Sequence, residues 1–329
     1  MTAPPMPPRS LRARVGHDDR ADAFDEVGAR CRAAIDRTLP ADWSWEGRRV
    51  LDFGCGSGRT LRHLLPEAEN CTLLACDVHR ESVEWVARHL PVEAFECGAE
   101  PPLALEDGTV DLVLAVSVFT HLSESWARWL SELGRVLAAD GLLLATVHGA
   151  GVWQRSAGAR FGLRYDERIG MHVEQPWEDF DSGFGPAVWH GEWWLREHWG
   201  RGFDVLSVAA EGFAPAPDGA HRGHGVVLLR RRGAVPSAAE LERPADDPRE
   251  RDAALQSALL ARLEGAEQVR AWRGRAVAAE AELVRERAEL ARASAELDAV
   301  RASTIMRASE PLRRRWYRLK RGVGRSVAR

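Results

Sequence analysis

The chain has 329 residues, a formal net charge of -4 and five cysteines, which is length enough for one sizeable domain plus an extension. No apolar run approaches the ~20 residues of a membrane span and no signal-peptide core is present, so a cytosolic protein is expected. An odd number of cysteines without a C-x-x-C pair suggests neither a zinc site nor a disulfide framework.

Residues 1–16 are rich in proline and arginine with little to bury, which predicts a disordered leader. From Asp18 to Leu39, the apolar residues Phe24, Val27, Cys31, Ile35 and Leu39 recur every three or four positions and describe an amphipathic helix. The stretch from Val50 to Thr60 is a short apolar run ending in Asp52-Phe53, then glycines at 54, 56 and 58, then residues able to start a helix. That is a strand, a tight turn and a helix N-terminus, whose free N–H groups favour anionic atoms. Cys55 inside the turn reads either as a nucleophile or as a small residue tolerated there. A G-x-G-x-x-G dinucleotide loop would need glycine at 59, where Arg59 stands.

Leu61, Leu64 and Leu65 suggest a helix face stopped at Pro66. Cys71 to Asp77 reads as a second strand, ending in a carboxylate at the distance from the loop where doubly wound folds place an acid for a ribose diol. Val83, Val86 and Leu90 mark a helix closed by Pro91, Val92 to Glu96 a third strand, and Cys97 to Gly108 a polar loop. Val110 to Val116 is a nearly continuous apolar strand, as expected for burial on both faces of a parallel sheet. Trp126, Trp129, Leu130, Leu133, Val136 and Leu137 stripe the next helix, and Asp140-Gly141 turns into a fifth strand, Leu142 to Val147.

Residues 149–200 interleave six tryptophans with Gly, Asp and Glu, which suits either a sugar-stacking platform or a lid packed on the sheet. Phe203 to Val208 and His224 to Leu229 are two further strands. Val235 to Arg249, with three prolines and many charges, reads as a linker. Residues 251–301 have a helix-forming composition without proline, and Val269, Ala276, Leu283, Leu290 and Leu297 recur at seven. A coiled coil or a solvated single helix accounts for this. Residues 301–329 hold ten Arg and Lys against one Glu, with Trp316, Tyr317 and Leu319 among them, so an anionic membrane surface is the expected contact. Nucleic acid is disfavoured because no nucleic-acid motif precedes the tail.

The D-x-G-x-G-x-G spacing resembles the first motif of class I S-adenosylmethionine (SAM)-dependent methyltransferases. This resemblance implies a doubly wound, mostly parallel seven-stranded sheet of Rossmann-like type over residues 17–232, with 149–200 as the substrate-recognition insertion. A 233–250 linker, a 251–301 helical segment and a 302–329 basic tail would follow. It also implies SAM as cofactor, held by the loop Gly54, Cys55, Gly56 and Gly58, with Asp52 near its amino end and Asp77 on its ribose hydroxyls. Val78, Gly98 and Ser117 would complete the crevice at the strand ends.

Ser117 to Leu122 and the stretch from Ser303 to Arg313 resemble segments of methyltransferases and glycosyltransferases of bacterial polysaccharide synthesis. They imply O-methylation of a glycan or glycan precursor. A small metabolite, a lipid or a natural product is the alternative acceptor, and a non-catalytic assembly protein of a glycan-synthesis complex is the alternative class. His121 is the candidate base, its other role being to cap the next helix. Residues beyond about 235 are expected to be dispensable for chemistry. They would direct pairing with a second copy or a partner helix, and attachment peripheral to the inner membrane face.

Overall fold

The computed structural model describes residues 4–15, 20–155, 165, 167–174, 186–217, 222–302 and 304–323. They fall into two compact units, Met1–Arg262 and Leu263–Arg329. In the first, strands β1 (Arg49–Phe53), β2 (Thr72–Asp77), β3 (Glu93–Glu96), β4 (Val110–Ala115) and β5 (Leu137–Val147) pair in parallel. The insertion contributes a separate antiparallel pair, β6 (Met171–Glu174) with β7 (Ala187–His190). The main sheet ends in β8 (Phe203–Phe213) and β9 (His224–Arg231), giving the order β3-β2-β1-β4-β5-β9-β8 with β9 antiparallel to both neighbours. This is the mostly parallel, seven-stranded Rossmann-like fold that the sequence implies.

The apolar run of β4 is buried on both faces, and its one acid, Asp111, is held at the edge by Arg48 and by the Arg49 N–H, each at 2.9 Å. Helices cover the two faces. They include α1 (Arg9–Ala13), α2 (Ala21–Thr38), α3 (Arg80–His89), α4 (Trp126–Val136), α5 (Ala150–Arg155) and α6 (Glu192–His198). The predicted stripe of α4 packs against Phe53 of β1 and Val113 of β4 in one continuous cluster.

Several expectations change. The segment expected as a disordered leader carries α1, whose Leu11 is buried in the same cluster as Cys55 and Leu61. After the glycine loop there is no α-helix; two 3-10 turns, Leu61–His63 and Leu65–Glu69, take its place. Pro66 lacks the N–H that would bond the carbonyl of Arg62, which leaves too few residues to propagate a helix. The expected turn at Asp140-Gly141 lies inside β5 as a register shift against β4, with Asp140 at φ 61°.

The largest change concerns residues 233–262. They form no linker, since α7 (Ala238–Glu242) opens with a Ser237/Glu240 capping box and buries Leu241 completely. Arg201 binds the carbonyls of Glu240 and Leu241 at the end of that helix, at 2.7 and 2.8 Å, and His198 reaches both the Leu241 carbonyl and Glu250. The long helix α8 (Pro248–Ala302) begins at the third proline, which fits a helix N-terminus because its missing N–H has no partner there in any case. Its first turns bury Ala253 and Leu260, the latter against Trp153, Ile169 and Trp189, and Ser257 donates to the Met171 carbonyl at 3.1 Å. The prolines and charges therefore mark caps, and the first unit runs to Arg262. In the second unit, the rest of α8 and α9 (Thr304–Val323, with Pro311 inside it) are helical. Among the described residues no helix is long and apolar enough to cross a membrane.

A chain ending at Arg262 is expected to unfold at the same denaturant midpoint as the first unit of the full chain. A chain ending at Gly233, which strips away Leu241 and Leu260, loses about 4 kcal/mol or more. Equal midpoints for the two truncations would return 233–262 to the status of a linker.

Candidate cofactor and acceptor site

The parallel topology brings the C-terminal ends of β1, β2, β3 and β4 to one edge, and the loops leaving them carry Gly54, Asp77, Gly98 and Ser117. The glycine loop is tied back to β2. The N–H groups of Gly54 and Cys55 both donate to the Cys76 carbonyl, at 2.8 and 3.0 Å, and the Gly56 N–H donates to Asp77 Oδ2 at 2.8 Å. Gly58 donates to the Cys55 carbonyl at 3.0 Å. The loop N–H groups expected to be free for an anion are thus largely used within the chain.

Gly54 stands at φ 77°, and a Cβ there would run into the Val118 side chain; Gly56 at φ 52° would meet Val15 in the same way. Val15 belongs to the N-terminal segment, which is drawn onto the loop by Ser57 donating to the Leu11 carbonyl at 3.4 Å and by Arg59 donating to the Val15 carbonyl. Nothing in the sequence of residues 4–15 signalled this packing.

Asp77 Oδ1 accepts the His79 N–H at 2.8 Å, so each carboxylate oxygen has one backbone donor and keeps further lone pairs for a diol. Val78 beside it is half-buried. The Cys97 N–H donates to the Asp77 carbonyl at 3.0 Å and starts the loop that carries Gly98. Helix α4 fixes that loop, because Trp129 Nε1 donates to the Ala99 carbonyl at 3.0 Å and Glu132 accepts the Leu103 N–H at 2.7 Å. Arg135 secures the far end through the Leu105 carbonyl at 2.9 Å and Asp107 at 2.6 Å.

Asp52 is only 3% exposed, and its Oδ2 has no hydrogen-bond partner. Burial first, and the neighbouring Asp77 charge second, push its carboxyl up to about 7 against the opposing pull of Arg59. A buried, unmatched acid at the floor of a crevice fits a ligand that brings its own cation, as the ammonium of a methionine group does. With the Gly54 cradle and the spare lone pairs of Asp77, the residues present fit SAM. Cys55 does not read as a nucleophile: burial raises its thiol well above the ordinary range, and its Sγ donates to the Gly56 carbonyl at 3.3 Å.

On the acceptor side, Ser117 takes φ 64°, a left-handed conformation sparsely populated by residues other than glycine, and its N–H donates to Thr146 Oγ1 at 2.7 Å. Half-buried His121 directs Nδ1 to the Pro186 carbonyl at 2.9 Å. A carbonyl only accepts, so Nδ1 carries the proton and Nε2 the lone pair. Burial lowers the His121 pKa below 6.5, with the Pro186 bond opposing, which keeps the ring neutral at physiological pH.

Two histidines that sequence reasoning missed stand beside it. The pairing of Val147 with Gly225 sets His148 opposite His224, with rings 5.1 Å apart, and His148 lies 6.5 Å from His121 and 5.6 Å from Trp189. Their only sequence signal is position, at the shared edge of two adjacent strands. The insertion is moored here as well, through the Val188 N–H to the Thr120 carbonyl and the His190 N–H to the His148 carbonyl, both 2.9 Å. Trp153, Trp189, Trp193, Trp194 and Trp199 are all at most 7% exposed, so they pack as a lid and offer no stacking face; Trp177 lies outside the described residues.

Residues 50–141 match the family described as methyltransferase domain. The phthiotriol/phenolphthiotriol dimycocerosates methyltransferase 1 of Mycobacterium ulcerans is 32% identical over 102 residues, which are 30% of this chain and 37% of that one. The ubiquinone biosynthesis O-methyltransferase of a Caulobacter species is 28% identical over 144 residues, 41% and 54% of the two chains. The malonyl-[acyl-carrier protein] O-methyltransferase of Bacillus cytotoxicus is 27% identical over 171 residues, 50% and 57%. The chain thus spans between 37% and 57% of the length of these relatives. A solved SAM-dependent methyltransferase from Mesorhizobium loti superposes with a TM-score of 0.46 at 17% identity, covering 60% of this chain and 96% of that one.

The raised Asp52 carboxyl carries a pH signature. Between its unfolded value near 3.8 and its folded value near 7, the folded state holds a proton that the unfolded state has released. Its destabilising effect is therefore absent below that window and fully developed above it. Asp52→Asn is expected to stabilise the ligand-free protein by about 2 kcal/mol or more at pH 8, by roughly a third of that effect at pH 5 and by almost nothing at pH 3, read from urea midpoints. A pH-independent difference would remove the unmatched charge from this account.

Proposed function

We propose that this chain, whose residues 50–141 match the family described as methyltransferase domain, is a class I SAM-dependent methyltransferase that transfers a methyl group from SAM to an oxygen acceptor, with His121 taking the acceptor proton. The observation that carries the proposal is the His121 tautomer, which presents a neutral Nε2 lone pair beside the strand ends that form the cofactor crevice. The cofactor supplies a methyl group already activated by its sulfonium, so the chain has to align, desolvate and deprotonate.

Asp52 and Asp77 supply anionic ends for an ammonium and a diol. Ser117, held by Thr146, fixes the backbone between the cofactor loops and His121. The insertion bonds His121 through Pro186 and is tied to Thr120 and His148, which sets it beside the proposed base. Oxygen transfer is further supported by two of the relatives named above, which are O-methyltransferases. A glycan hydroxyl, implied by the resemblance of Ser117 to Leu122 and of the tail, is the first acceptor class to test. With the described tryptophans of the insertion buried, polar groups would have to recognise it.

Three measurements test the proposal together. Asp77→Asn is expected to weaken SAM binding at least about tenfold by calorimetry. His121→Ala is expected to lower kcat by a factor on the order of 100 with SAM affinity intact, and to abolish an acid limb of kcat/KM that lies below pH 6.5 in the parent. Labelled SAM incubated with glycan, lipid and small-phenol fractions identifies the acceptor. Tight SAM binding with no transfer to any fraction would leave a scaffold rather than an enzyme.

A further inference from the structure

From Leu263 onward, α8 presents apolar side chains that nothing in its own unit covers: Leu283, Leu290 and Leu297 are 46, 72 and 56% exposed, and Trp272 65%. A lone helix that keeps such residues in water gains little from them. With Val269, Ala276, Leu283, Leu290 and Leu297 at heptad position a, position d falls on Trp272, Ala279, Glu286, Ala293 and Val300. Position g then falls on Arg275, Glu282 and Glu289, and position e on Glu280, Arg287 and Ser294. Arg275, Glu280, Glu282 and Arg287 are exposed, and among the described residues none is engaged in an ion pair within its own chain.

We infer that the helix from Val269 to Val300 pairs with the same helix of a second copy, parallel and in register. In that arrangement position g faces position e of the partner's next heptad, five residues on. Arg275 meets the partner's Glu280, Glu282 meets the partner's Arg287, and Glu289 meets the partner's Ser294. Each pair occurs twice by symmetry, and no like charges meet. The leucines at a stack on their own copies. Antiparallel pairing with full overlap would set Glu282 against the partner's Glu289 and Leu297 against the partner's Trp272, losing the leucine ladder. Glu286 at d is the one misfit, a polar layer that lowers stability while opposing a slip in register.

Two charge swaps in the full chain test this. The first exchanges both e positions, Glu280→Arg with Arg287→Glu; the second exchanges both g positions, Arg275→Glu with Glu282→Arg. Neither changes the net charge. In sedimentation equilibrium the parent is expected at twice 36.4 kDa. Each swap alone should self-associate at least about tenfold more weakly, because both Arg–Glu contacts become repulsive, and an equimolar mixture should recover the parent affinity. Leu297→Cys should cross-link to its own copy on oxidation. Circular dichroism checks that each swap keeps its helix. A monomeric parent overturns the inference, and so does an e-position swap that dimerises like the parent, since antiparallel pairing faces Glu280 with Arg287 and is indifferent to exchanging them. Failure of Leu297→Cys to cross-link in a dimeric chain excludes the parallel register. None of these outcomes depends on the methyl-transfer proposal.

Discussion

The bond from the Gly56 N–H to the Asp77 carboxylate holds the crevice together. With the two N–H groups that grip the Cys76 carbonyl, it fixes a loop leaving β1 to the last two residues of β2. A loop with three glycines has a large conformational freedom to lose. Tying it at two neighbouring points of a buried strand confines that freedom without adding side chains to the space above. The same carboxylate that stiffens the loop keeps spare lone pairs, so the cradle and the proposed ligand contact are set by one group. Every later placement follows from this edge: Gly98 through the Cys97 N–H, Ser117 through the adjacent strand, and the insertion through Thr120 and His148.

Much of the parallel half was legible because its signals are local. A strand buried on both faces must be apolar, a turn that crosses positive φ needs glycine, and an acid at a strand end is a fixed distance along the chain. What escaped was long-range. The Leu61, Leu64 and Leu65 face was visible, but 3-10 turns share nearly the same spacing over so short a stretch. His148 and His224 meet only through the register of an antiparallel pair more than seventy positions apart in the chain. Residues 233–262 carry linker composition because caps, turn residues and a helix-opening proline use the same amino acids as a flexible tether. The tryptophans of the insertion could not be divided between platform and lid until their burial was known.

The site also concentrates features that a protein optimised only for stability would avoid. Asp52 is buried without a partner, and Ser117 occupies a left-handed backbone conformation. Both lie at the crevice, although Asp140 and Ala214 also take left-handed backbone elsewhere, and the acid within β4 is fully matched by Arg48 and Arg49. A unit that tolerates such costs at one edge needs a well-packed remainder. The cluster joining α4, the sheet and the insertion provides it.

The first turns of α8 belong to the first unit although the rest of the helix does not. Modular inheritance is constrained as a result. An exchange of extensions between related genes cannot join at an unstructured seam; it must fall within one continuous helix, beyond Leu260 and in phase with its turns. A lineage that changed the tryptophan-bearing insertion would have to retain, or change in step, the side chains of residues 248–262 that rest on it. Residues 248–262 and the insertion are therefore expected to descend as one block, with divergence beginning only after that point.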